Sequence, residues 1–193
     1  ALTQTQSNGS LYMTNSAIRG LTSATTHGAT LNGATGARLR LVDSEIEGCG
    51  RGGSISVQTG LGMSATGFGA TEFDNVLFAT NGLGGMRQET GSALYLKDTR
   101  FKLLNSRFAG NWAYGEYSNG QVFRFEGDCD GSVVSNCAFV GNYECKAGAA
   151  GGIISVSFDS DARKLAFENC TFAYNIVRRW NSGSCTDATA LNV

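Results

Sequence analysis

The stretch "LLNSRFAGN" at residues 103–111 sets one asparagine after an apolar pair and a second six residues later, with Phe108 between them. "VVSNCAFVGN" (133–142) and "LAFENCTFAYN" (165–175) repeat the same order of side-chain types. With the first asparagine as a ruler, its counterparts are Asn15, Asp43, Asn75, Asn105, Asn136 and Asn169, at steps of 28, 32, 30, 31 and 33 residues. Six copies at this period predict a solenoid, because a unit of about thirty residues cannot bury its apolar side alone.

Within the repeat the pattern has a period of two. "FKLLN" turns Phe101 and Leu103 inward and Lys102 outward, and after the asparagine Ser106 and Phe108 face inward again with Arg107 outward. Asn and Asp tolerate the left-handed backbone that such a corner needs. A second short strand is expected at "SISVQT" (54–59), "ALYL" (93–96), "QVFRFEG" (121–127) and "GIISVSF" (152–158), with glycine-rich connections between. No segment shows helical periodicity over ten residues. The expectation is an all-β chain, a right-handed single-stranded parallel β-helix of about six coils filling residues 1–193 as one domain. At about 4.8 Å per coil the rod would be on the order of 30 Å long. An antiparallel sandwich is the competing architecture, with "SNG" (118–120) its best hairpin turn.

In a coil stack a recurrent residue sits on its own copy above and below. Asn81, Asn111, Asn142 and Asn175, each six residues after the ruler, form the expected ladder, satisfying turn groups that burial would otherwise orphan. Phe78, Phe108, Phe139 and Phe172 should stack beneath it, continued by Ile18 and Ile46. The repeat is therefore a folding instruction and carries no chemistry by itself.

Composition agrees. The chain has 193 residues, 27 glycines and no proline, which suits tight turns within a continuous ladder where every N–H is needed. Net charge is −1, so no nucleic-acid footprint is expected, and no apolar run is long enough to enter a membrane as a helix. The chain starts at Ala1 without a signal peptide, which reads as a processed chain or a section of a longer solenoid.

The tetrapeptides "FATN", "FAGN", "FVGN" and "FAYN", with "GSAL" (91–94) and "GGII" (151–154), resemble the F-x-x-N repeats of chlamydial polymorphic outer-membrane proteins, over about residues 71–175. In the first two coils Leu21 and Cys49 replace the second asparagine. The resemblance implies a surface-displayed adhesive or structural part on a coil shared with the pectate-lyase-like superfamily, which also contains carbohydrate-active enzymes.

Candidate chemistry is sparse. "GDCDG" (127–131) and "FDSDA" (158–162) should lay Asp128 over Asp159 and Asp130 over Asp161, where calcium would relieve the repulsion; Arg100, Arg163 and Lys164 are the alternative countercharges. Trp112, Tyr143, Tyr174 and Trp180 lie beside the ladder asparagines and could form a row that stacks on sugars or on a partner protein. Asn8 in "NGS" is a glycosylation sequon, whereas Asn169 in "NCT" is expected to be blocked. The lone His27 reads as a loop residue, and no nucleophile motif occurs. Cys137 and Cys170 share an inward slot held elsewhere by Ser16, Ser44, Val76 and Ser106, and read as reduced core. Cys49, Cys129, Cys145 and Cys185 lie in connections where one or two disulfides are expected. Together these observations favour a non-enzymatic extracellular or cell-surface module. Its expected partners are copies of itself or neighbouring β-helix segments end to end, with glycans or cell-surface proteins as further candidates. A carbohydrate-active β-helix is the alternative.

Overall fold

The computed structural model describes residues 2–4, 9–20, 28–49, 62–84, 93–115, 122–146, 152–160, 164–181 and 184–186. Every regular element among them is a β-strand, and all pairings but one are parallel. The fold is a parallel β-helix with three faces. The leading face stacks Leu2–Gln4, Ala29–Asn32, Met63–Thr66, Leu94–Lys97, Phe123–Gly127 and Ile154–Phe158. The middle face has six rungs, each folded into two arms at the ruler residue, as in Arg38–Glu47 and Ala70–Ala79. The closing face stacks Gly82–Gly84, Trp112–Gly115, Tyr143–Lys146 and Ile176–Asn181. About six coils were expected; two faces have six rungs, but only four turns carry all three faces among the described residues.

The corners follow from backbone sterics. All six ruler residues have positive φ, between 48° and 53°, and so do Gly20, Gly48, Thr80, Gly110, Gly141 and Tyr174, five positions later. Asn, Asp and Gly adopt this region at little cost, which is why they recur where the chain must turn. Gly127 is held more tightly, because at φ 75° a Cβ would stand 2.0 Å from Asp98 Oδ1.

The stacking register is the expected one. Ile18 pairs with Ile46 and Ile46 with Phe78, which pairs with Phe108, followed by Phe139 and Phe172. The rings lie nearly parallel, with centroids 5.2, 4.7 and 4.9 Å apart and interplanar angles of 12°, 6° and 5°. Phe123 from the leading face meets Phe108 and Phe139 edge-on at 4.9 and 5.3 Å, so two faces share one core. Offset-parallel and edge-to-face contacts add roughly 0.5–1.5 kcal/mol per pair beyond the burial of apolar area.

Some strands differ from expectation. Residues 54–59 lie outside the described residues, and the leading rung of that coil is Met63–Thr66, in register with Leu94–Lys97. Its Ser and Thr face outward while only Met63 and Ala65 are buried, so it lacks the bulky alternation that marks a strand. The "SNG" turn and His27 also lie outside the described residues.

Candidate functional site

The ladder is the most completely bonded polar feature. The backbone N–H and the side-chain amide of Asn81 both donate to Asn111 Oδ1, at 3.0 and 3.1 Å. Asn111 does the same to Asn142 Oδ1 (3.0 and 3.0 Å), and Asn142 to Asn175 Oδ1 (2.9 and 2.9 Å). Each side-chain NH2 also donates backward, to the carbonyls of Ile46, Phe78, Phe108 and Phe139 at 2.7–3.0 Å. Asn81, Asn111 and Asn142 are fully buried and Asn175 nearly so. One amide thus ties three coils, which satisfies the buried corner and carries no chemistry. Cys49 extends the ladder: its N–H donates to Asn81 Oδ1 at 3.0 Å and its thiol faces the Ile18 carbonyl at 3.7 Å.

The slot of Cys137 and Cys170 has a chemical reason beyond size. Ser44 and Ser106 donate to the carbonyl two residues back at 2.7 Å, while the N–H of Ser16 and of Val76, one coil earlier, donates to Ser44 Oγ and Ser106 Oγ. The two thiols make the same backward contacts, to Ser135 and Glu168 carbonyls, and both are free. Burial, partly offset by backbone hydrogen bonds, pushes the Cys137 thiol up to about 11. Of the four cysteines expected to supply one or two loop disulfides, Cys145, on the closing face, is disulfide-bonded, whereas the Cys49 and Cys129 thiols are buried outside any disulfide.

The acidic cluster is described only in part. Phe123 does pair with Ile154, and the register runs on to Gly127 opposite Phe158, which leads Asp128 toward Asp159. Asp128, Asp130 and Asp159 are all exposed, while Asp161 and Arg163 lie outside the described residues. Asp98 Oδ1 accepts from the Asp128 N–H at 3.0 Å and Asp130 Oδ1 from the Lys164 N–H at 2.9 Å, so these carboxylates cap corner backbone. Among the described residues no three His, Cys, Asp or Glu side chains converge to hold a metal.

The aromatic row is partial. Trp112 and Tyr143 are in register and half-buried on the closing face. The Trp112 indole lies against Gly82, where a Cβ would meet the ring at 2.2 Å. Ile176, not an aromatic residue, follows Tyr143 in that row. Tyr174 stands apart at its corner, 86 % exposed, and the Trp180 side chain lies outside the described residues. Asn8 also lies outside them, and Asn169 is exposed rather than blocked.

Two features leave no mark in the sequence pattern. On the outer side of the leading face Glu126 accepts from Arg124 (2.8 Å), Lys97 (3.0 Å) and the Tyr95 hydroxyl (3.2 Å). Burial opposes ionisation of Glu126, but the Lys97 hydrogen bond and the charges of Arg124 and Lys97 outweigh it and hold the carboxyl below its ordinary value. Burial pushes the Tyr95 phenol up, reinforced by the Glu126 charge. These residues come from adjacent rungs, so only the coil register could have assembled them. The second feature is a groove along the fold line of the middle face, lined by Asn15, Asp43, Asn75 and Asn105 with Arg19 and Arg107 among its walls.

Compared with protein-family models, curated proteins and solved structures, the chain matches none. Among the described residues no helix is long and apolar enough to cross a membrane.

Proposed function

We propose that this β-helix is an extracellular structural or adhesive module that stacks end to end on copies of itself at a cell surface. The observation that carries the reading is that, among the described residues, the core columns lose burial at both ends of the stack. Leu39, Leu41 and Ile46 are buried, whereas Leu11, Met13 and Ile18, their partners one coil earlier, are only half-buried. At the other end Val156 is 44 % and Phe167 41 % exposed, although Phe125 and Val134 beneath them are fully buried. A copy docked head to tail would set Met13 on Phe167 and Ile18 on Phe172, continuing each column and pairing the open strand edges. Such a heterologous contact does not close and therefore builds filaments.

Ser184–Thr186 fits this geometry. It pairs antiparallel with Arg179–Asn181 and covers that part of the closing-face edge, while among the described residues no strand pairs with the leading and middle edges. Those are the faces that the opposite end presents among the described residues. The Cys145 disulfide favours an oxidising compartment, and the F-x-x-N likeness to displayed outer-membrane repeats points the same way. Sedimentation velocity over a concentration series tests the assembly. Linear multimers that dissolve on Phe167→Glu are expected; a monomer at every concentration up to about 1 mM, well above the micromolar range that an interface of ordinary size sustains, would refute it.

A second reading, carbohydrate chemistry on the leading face, draws on the cluster of Tyr95, Lys97, Arg124 and Glu126, where a phenol and two cations share one carboxylate. Incubation with acidic polysaccharides tests it. Unsaturated products that vanish with Tyr95→Phe would establish it, and no turnover would remove it.

A further inference from the structure

The middle face folds along its positive-φ residues, and the fold leaves an open groove of about 580 Å3 on the outside of the rod. Its lining is drawn from equivalent positions of four successive coils, so the groove runs parallel to the axis, one set of groups per step of about 4.8 Å. We propose that it binds a linear, neutral polysaccharide in extended conformation, laid along the axis so that successive sugars meet successive coils.

The chemistry of the lining selects the ligand class. Asn15, Asn75 and Asn105 line the groove, and all three side chains are exposed. The Asn75 amide donates to Asp43 Oδ1 at 2.7 Å. The Asn105 amide donates to Asp74 Oδ1 at 2.7 Å and accepts from Asn136 at 3.4 Å. A primary amide offers two donors and two acceptor sites, so each retains capacity toward solvent, suited to hydroxyls that both donate and accept. The charged lining residues are Arg19, Arg107, Asp43 and Glu45, two of each sign, so the groove holds no net charge to favour an acidic polymer. Arg19 is paired with Glu45 and Glu47. Arg107 is exposed and in no ion pair among the described residues, which leaves its fork of N–H donors for the ligand.

The geometry adds a selection by shape. A straight groove keeps contact only with an extended chain, and a coiling glucan would leave it after a few units. Contacts of modest strength then sum over coils, as in any multivalent array. This site is independent of end-to-end stacking, because the fold line is exposed along the side of the rod.

Isothermal titration of the intact chain with cellohexaose tests the proposal, with maltohexaose and hexagalacturonate as comparators. Saturable binding of cellohexaose is expected, weaker by about tenfold for maltohexaose and for the acidic oligomer. Arg107→Gln and Asn105→Gly should each weaken cellohexaose binding by roughly fivefold to tenfold, the loss of one or two hydrogen bonds. Glycine keeps the left-handed backbone while deleting the amide. Arg107 is exposed, so its variant carries the test even if Asn105→Gly unfolds. No saturable binding, tighter binding of hexagalacturonate, or affinity unmoved by Arg107→Gln would overturn the assignment. Failure of the chain to polymerise would leave it standing.

Discussion

Asn111 shows what a single side chain does in this fold. Truncation to alanine removes the bond to the Phe78 carbonyl and the acceptor for the Asn81 N–H, both buried. Leaving such groups unpaired costs about 1–3 kcal/mol each, so Asn111→Ala should lose roughly 3 kcal/mol in urea denaturation. Asn111→Asp should fare no better, since its carboxylate would face the Phe78 carbonyl and Asn142 Oδ1. Cys137 supplies a pH test. Its thiol is raised, so the stabilisation is complete below the unfolded value near 9 and is lost as pH rises through about 11. Between those limits wild type should lose stability faster than Cys137→Ser, whose serine is the residue that Ser106 supplies one coil earlier; identical slopes would contradict the burial of this thiol. The ladder asparagines and corner residues were legible because a left-handed corner and a stacked amide both demand nearly one residue type. The Ser/Cys slot was legible in position but not in its hydrogen bonding, because a hydroxyl bonded to its own backbone leaves no mark on spacing.

At the scale of the element, the middle-face strands declared themselves by alternation, as in Phe101 and Leu103 around Lys102. The closing face did not, because its rungs begin with an outward row of Gly82, Trp112 and Tyr143 that reads as loop. That row gives a prediction. Gly82→Ala puts a methyl into the Trp112 indole, so the ring must swing outward. In a Trp180→Phe background the emission should shift to the red, with a stability loss of about 1–3 kcal/mol; unchanged emission would mean that Trp112 does not lie on Gly82. In the core, Phe108→Ala should cost about 3–5 kcal/mol, as it breaks the ring stack in both directions. The Tyr95–Lys97–Arg124–Glu126 cluster was illegible for a different reason. Its members alternate with core residues on strands about thirty residues apart, and only the exact step between coils brings them together.

For the whole molecule, stability is a sum over neighbouring coils, and the disulfide at Cys145 adds a constraint outside that sum. Reduction should lower the thermal midpoint by roughly 5–10 °C, read by circular dichroism with and without reductant. The repeat step disclosed the architecture, whereas its lateral groove could be found only once the outward residues of four coils were placed side by side. The central claim is that the backbone returns to the same azimuth each coil, so that like side chains bond to like. Hydrogen-bond scalar couplings in labelled protein test it most directly. Correlations are predicted from the backbone nitrogens of Asn81, Asn111 and Asn142 to the side-chain carbonyl carbons of Asn111, Asn142 and Asn175. Couplings confined to partners within one coil, with rapidly exchanging asparagine amides, would contradict it.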